Sequence, residues 1–220
     1  SWGGLTTSMM NYYRAMNKEG LRFDFISCNT PDKELLEQIH TDGNKYERLP
    51  DRKKKTVSYM IALYRLVKRN SYDIVHIHGN SATMAIDLFP CRFAGVGRRI
   101  IHVHTTNTQH PFLHKILLSL MNRLATDRVA VSQDAGRYLY GANPFYVLNN
   151  AIDSENYRYS EKSRRSFRMK FDIEAEAFVI GSVGKLTETK NHIYLVEVFA
   201  EIFKTRPDSV LLIVGEGPER

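Results

Sequence analysis

The residues with the most chemistry in this sequence are four histidines in two identical spacings, His76-Ile77-His78 and His102-Val103-His104. In a strand, residues two apart share a face, so each pair presents two imidazoles to one side. Imidazole suits zinc, and a catalytic zinc site needs three protein ligands. No acidic cluster lies beside either pair to complete such a site. The reading preferred here holds no metal: His76 and His102 are core or hydrogen-bonded residues within the strands, and His78 and His104 reach the strand ends at a cleft. Thr105, Thr106 and Asn107 follow directly and extend the polar surface.

A second chemistry is phosphate binding. Gly3-Gly4 precedes Thr6-Thr7-Ser8 at a helix entrance, where a close backbone approach and a helix N-terminus favour an anion. A tight turn with an N-cap explains the same residues without a ligand. Further on, Gly181-Ser-Val-Gly184-Lys185-Leu186 leads into Lys190-Asn191-His192, so two lysines five apart flank the approach to a helix. Two cations and a helix N-terminus make a diphosphate clamp, and a solvated lysine pair is the plain alternative. Gly215-Glu-Gly217-Pro218 closes the following strand in the same manner. One Gly-x-Gly is a weak signal, but glycine turns after two successive strands reinforce each other.

The elements that must position these residues alternate. Short β-branched runs predict buried parallel strands at residues 23–27, 74–78, 100–104, 128–132 and 145–148. Helices are predicted over 6–17, 53–68 and 113–124. Residues 153–172 carry six Lys/Arg without a strand signal and read as a connector with a short solvated helix. The rhythm then restarts with a strand at 178–183, a helix at 192–204 and a strand at 209–214. Strand alternating with helix predicts doubly wound parallel sheets, whose ligands sit beyond the carboxyl ends of the strands. The predicted organisation is a first domain over 1–152, a connector over 153–172 and a second domain over 173–220. Both ends are expected to continue, because residues 1–5 have no strand feeding them and one βαβ unit leaves its sheet uncovered.

Bulk properties narrow the partners. Among 220 residues, 43% are hydrophobic and 25% charged, as in ordinary globular proteins. The net charge of +7 is uneven: residues 1–150 hold 20 Lys/Arg against 12 Asp/Glu, and the remainder holds 11 against 12. A basic first part attracts an acidic substrate, an anionic membrane surface or nucleic acid. Two cysteines without a Cys-x-x-Cys pair suggest no disulfide framework and a reducing, cytoplasmic setting. The apolar runs are too short to span a bilayer.

Taken in order, these segments resemble family 4 of the retaining GT-B glycosyltransferases. The stretch from Ile180 to His192, running on to Leu211-Leu-Ile-Val-Gly-Glu-Gly-Pro218, is similar to the family signature VGRLxxxKN…LxIVGxGP. Gly3-Gly4, Asp73-Ile-Val-His-Ile-His78, the strand ending in His104, Val131-Ser132 and Asn150-Ala-Ile-Asp153 support it. The helix around Met9-Met-Asn-Tyr-Tyr13 is similar to exopolysaccharide and capsule-type members. The resemblance implies an α/β, GT-B type protein of two Rossmann-like doubly wound domains, the second incomplete. It implies transfer, with retention and without a metal or other cofactor, from a nucleotide-diphosphate sugar to an acceptor hydroxyl in surface polysaccharide synthesis.

Carried over residue by residue, the resemblance makes His104 the histidine that approaches the transferred sugar. Gly3, Gly4, Gly184, Lys185, Lys190, Gly215 and Gly217 become donor-binding, and His78, Asn107 and Asn150 line the acceptor side of a cleft between the domains. Lys185 stands where the family usually has Arg, keeping the charge and losing the bidentate fork. Ala151 replaces a common Gly. The family's paired glutamates would lie beyond Arg220, so these 220 residues alone are expected to turn over little. The basic helix over 53–69 is expected to face an anionic membrane carrying a lipid-linked acceptor, or to be a solvated face. Other readings are a zinc hydrolase using the histidine pairs, a nucleotide-sugar epimerase of the same fold, and a basic nucleic-acid module. The last is disfavoured because Tyr12, Tyr13, Tyr138 and Tyr140 sit on helix-like stretches rather than in a basic groove.

Overall fold

The computed structural model describes residues 4–220 and divides the chain into two compact units, Ser1–Asp153 and Ser154–Arg220. In the first unit, helix α1 (Gly4–Ala15) precedes the strand pair β1 (Asp24–Ser27) and β2 (Lys45–Arg48). The two strands run parallel, Asp24 opposite Lys45 and Ser27 opposite Arg48. Parallel neighbours need a crossover, and α2 (Lys33–Thr41) supplies it. Asp32 starts that helix by accepting a hydrogen bond from the Leu35 amide at 3.0 Å.

Helix α3 (Thr56–Asn70) leads to a four-stranded parallel sheet in the order β3 (Ile74–Gly79), β4 (Arg98–Val103), β5 (Asp127–Ala130), β6 (Tyr146–Val147). Its crossovers are α4 (Ala85–Phe93), α5 (Pro111–Leu124) and α6 (Gln133–Tyr140). Pro111 opens α5 at a position where its missing amide costs nothing, and Ser132 caps α6 through the Ala135 amide at 3.1 Å.

Three apolar clusters hold this unit. Leu88, Ile101, Val103, Met121 and Leu139 join β4 to α4, α5 and α6, and Tyr59, Leu63, Val67 and Cys91 join α3 to α4. Met10 and Tyr13 of α1 pack on Leu35 and Ile39. Two buried polar groups tie elements together. The Tyr140 hydroxyl donates to the carbonyls of Val129 at 2.8 Å and Ile101 at 3.1 Å, tying α6 to two strands. Asp87 accepts from Tyr59 at 2.6 Å and pairs with Arg52 at 3.3 Å.

In the second unit, α7 (Glu161–Lys170) has no fully buried residue and precedes a parallel pair, β7 (Phe178–Val183) and β8 (Ser209–Val214), crossed by α8 (His192–Thr205). The guanidinium of Arg168 donates to the Ala177 carbonyl at 3.0 Å and that of Arg164 to the Ala175 carbonyl at 2.8 Å. These bonds, rather than an apolar face, fasten α7 to its own unit.

The β7 and β8 spans coincide with the predicted ones. β2, α2, α4 and α6 were not among the predicted elements, and β4 ends one residue before His104. Among the described residues, no helix is long and apolar enough to cross a membrane.

Candidate functional site

The histidines meet because β3 and β4 are adjacent and in register, with His78 opposite His102. Alternation puts His76 and His78 on one face of β3, and His104 is the first residue beyond the carboxyl end of β4. The result is a stack of four rings. His76 lies over His78 at 4.2 Å between centroids and over His102 at 5.4 Å, and His102 lies over His104 at 4.4 Å. At the strand ends, Nδ1 of His78 and Nε2 of His104 are 2.9 Å apart and share one proton in a hydrogen bond.

Burial sets the charge of this stack. His102 is fully buried, and both of its ring nitrogens lack a hydrogen-bond partner. Its pKa is pushed down to about 3 by burial first and by the neighbouring His104 and His76 next. Burial likewise takes His78 down to about 2, helped by the other three imidazoles, and it lowers His104. These rings are neutral at neutral pH, able to donate one hydrogen bond and accept one. His76, expected to be a core or hydrogen-bonded strand residue, lies within β3 and is solvent-exposed.

One nitrogen each of His76, His78 and His102 lies within 4.8 Å of the others, which admits a metal by distance. The orientation is unfavourable. His76 and His102 are tilted by only 8°, and the lone pairs of stacked rings run side by side in their ring planes instead of converging on one point.

Helix α1 adds what sequence spacing did not reveal. Tyr12 stacks on His102 at 6.0 Å, and its hydroxyl reaches the Leu148 carbonyl at 3.1 Å and Asn150 Oδ1 at 3.3 Å. Asn11 donates to the Ala151 carbonyl at 2.9 Å. Asn150 is thereby linked to the histidine stack through one tyrosine. The only sequence signal for this bridge was the tyrosine pair on the helix after Gly3-Gly4. Gly4 is the first residue of α1, and Gly3 lies outside the described residues. Asn107 is exposed on the loop after His104, where its amide is bonded to Thr105 Oγ1 at 3.2 Å.

In the second unit, the two glycine turns interlock. The Gly184 amide donates to the Val214 carbonyl at 3.0 Å, and the Leu186 amide to the Glu216 carbonyl at 3.0 Å. A Cβ at Gly215 would run into the Gly184 carbonyl, and one at Gly217 into the Leu186 backbone. Both positions therefore require glycine for close approach rather than for a special φ. Replacing Gly215 with Ala is expected to destabilise this unit by about 2 kcal/mol, since the obstacle is backbone. Chemical denaturation of the G215A variant checks it, and an unchanged midpoint counts against the interlock.

Lys185 lies within the first of these turns. Lys190 ends a short 3-10 turn (Glu188–Lys190) just before Asn191, which adopts φ 49° and caps α8 by accepting from the Tyr194 amide. Both lysines are exposed. Among the described residues, neither ammonium is engaged in an ion pair.

Two family descriptions match the chain: Glycosyltransferase Family 4 over residues 2–156 and Glycosyl transferases group 1 over residues 163–220. EpsF of Bacillus subtilis (strain 168), assigned as a glycosyltransferase, is 29% identical over 98% of this chain and 59% of its own length. The UDP-Gal:alpha-D-GlcNAc-diphosphoundecaprenol alpha-1,3-galactosyltransferase of Escherichia coli is 28% identical over 74% of this chain and 45% of its own length. The chain thus spans about half the length of these relatives. Among solved structures, Anabaena Alr3699/HepE in complex with UDP and glucose aligns with a TM-score of 0.76 at 18% identity, covering 98% of this chain and 58% of that one. The first family match alone takes in well over half of the residues, so the chain belongs to glycosyltransferase family 4 and is built on the GT-B fold.

Proposed function

We propose that this chain is the donor- and acceptor-contacting part of a glycosyltransferase that moves a sugar from a nucleotide-diphosphate sugar to an acceptor hydroxyl. The observation that carries the reading is the interlock of the Gly184–Leu186 and Gly215–Gly217 turns at the carboxyl ends of β7 and β8, with Lys185 inside it and Lys190 at the entrance of α8. Exposed cations and free amides at that end stabilise the charge that builds on a departing diphosphate.

The first unit supplies the groups for the sugar and the acceptor. His104 is assigned to the transferred sugar, with Gly3 and Gly4 toward the donor phosphate and His78, Asn107 and Asn150 toward the acceptor. Neutral imidazoles suit this role, because they bond hydroxyls without placing a charge beside the sugar. No metal takes part in the reaction, and the anomeric configuration is retained. The acceptor is a saccharide or lipid-linked saccharide of bacterial surface polysaccharide synthesis, met at the inner face of the membrane. The basic segment 53–69 contacts anionic lipid there. The likeness to the Escherichia coli galactosyltransferase, named for a diphosphoundecaprenol-linked sugar, supports a lipid-linked substrate of this kind.

The test is a panel of nucleotide sugars offered to the full-length reading frame that encodes this chain, with acceptor present. Release of nucleoside diphosphate that depends on acceptor and persists in a chelator is the expected result. An altered sugar nucleotide released without acceptor would assign the protein to epimerisation instead.

A further inference from the structure

We infer that Tyr12 is a positioning residue of the transfer reaction: its hydroxyl holds the acceptor-facing Asn150, and its ring holds His102 in the histidine stack. The inference rests on the transferase reading above and gives a role to a side chain that has none in it.

Asn150 needs support from outside its own segment. It lies on an exposed, irregular stretch between β6, two residues long, and the end of the first unit at Asp153. Leu148 is still tied to the sheet, its amide donating to the Ala130 carbonyl at 2.8 Å. Beyond it, α1 steadies the chain. Asn11 donates to the Ala151 carbonyl at 2.9 Å, and the Tyr12 hydroxyl lies 3.1 Å from the Leu148 carbonyl and 3.3 Å from Asn150 Oδ1. One hydroxyl proton is thus shared between a backbone and a side-chain oxygen. With Oδ1 turned to the tyrosine, the amide nitrogen of Asn150 turns away from it, as a donor for an acceptor hydroxyl.

The neighbouring tyrosine shows what a structural role looks like. Tyr13 lies about 100° further round the helix. It is buried, packs edge-on against Phe23 and Phe25, and shares its hydroxyl with Asp42 at 2.8 Å and Asn44 at 2.5 Å. Tyr12 is half-buried and faces the site instead. Its ring lies 6.0 Å from that of His102 with 24° between the planes. His102 in turn lies over His104, which is bonded to His78. The tyrosine therefore adds a fifth ring to the stack that seats the sugar-facing histidine. Burial raises its pKa above the ordinary value of about 10, so the hydroxyl stays a donor at any working pH. A phenylalanine would fill the same space, and what the hydroxyl adds is the hold on residues 148–150.

Steady-state kinetics of variants in the full-length reading frame test this. The donors are UDP-glucose, UDP-galactose and UDP-N-acetylglucosamine, and the acceptor is diphosphoundecaprenol-linked N-acetylglucosamine. Tyr12→Phe keeps the ring and is expected to raise the acceptor KM about tenfold, with donor KM and kcat held within about twofold. Tyr12→Leu removes the ring as well and is expected to lower kcat by about a further tenfold. In an Asn150→Ala background, Tyr12→Phe is expected to move the acceptor KM by less than about twofold, because its partner is gone. Urea midpoints are followed alongside. A lowered midpoint in Tyr12→Phe with both KM values unmoved assigns the hydroxyl to the fold alone and overturns the inference. Additive effects in the double variant overturn it too. If the unaltered protein releases no nucleoside diphosphate from any of these donors, the transferase reading falls and this inference with it. Normal release with an unmoved acceptor KM in Tyr12→Phe removes the role of Tyr12 alone.

Discussion

Lowering the pH from 7 to 5 is expected to remove about 4 kcal/mol of stability from the N-terminal unit through His78 and His102 alone. In the unfolded chain both imidazoles take up protons near their ordinary pKa of about 6.5. In the folded unit burial holds them neutral, down to about 2 for His78 and about 3 for His102. Between those values the unfolded state binds more protons, so stability rises with pH. It is complete above about 6.5 and is lost as the pH falls below it. At pH 5, about 1.5 units down, each group accounts for about 2 kcal/mol.

Urea midpoints of the chain at the two pH values measure the loss. His102→Leu should remove about half of the pH dependence. It should also leave stability at pH 7 nearly unchanged or higher, because it deletes two buried nitrogens that have no partner. A midpoint that does not move with pH would show that the stack is open to water.

The second large effect is on the donor. Lys190→Ala, made in the full-length reading frame, is expected to raise the donor KM about 10- to 100-fold while the acceptor KM holds, the loss of one charge-assisted contact. The side chain is exposed, so its removal leaves the fold intact. What matters is placement. The residue sits where the left-handed Asn191 turns the chain into α8, at the positive end of that helix's dipole. Lys185→Arg is the companion variant. A guanidinium there supplies a bidentate fork and is expected to tighten the donor rather than loosen it. If donor saturation were indifferent to both changes, the diphosphate would have to be held elsewhere.

Which features could be read from sequence follows from what creates each one. β7 and β8 are apolar, β-branched runs ended by Gly184 and Gly215, so composition and punctuation agree and the spans were legible. β2 reads Lys-Tyr-Glu-Arg and becomes a strand only because β1 pairs with it, a tertiary cause that leaves no local trace. α4 carries Pro90 in its interior, and α6 carries Gly136. Both residues weaken a helix signal locally. Packing explains Gly136, since any larger residue would strike the Phe145 ring.

The candidate site divides the same way. That His76 and His78 share a face follows from strand geometry, as does the pairing of His102 with His104. That His78 stands beside His102 depends on the register of two strands separated by a whole helix, which spacing does not encode. The link from Tyr12 to Asn150 crosses 138 residues and could be seen only once folded.

That last contact bears on the order in which the chain takes shape. The apolar side of α1 finds its partners nearby, Leu35, Ile39 and Phe25, and can settle as soon as the first forty-odd residues are free to collapse. The bonds from Asn11 and Tyr12 to residues 148–151 must wait until the remaining strands are laid down. A growing chain therefore attaches this helix in two stages, an early greasy one and a late polar latch. Until the latch closes, the tyrosine that covers His102 lacks its distant anchor, and the histidine stack is among the last parts of the unit to acquire its finished form.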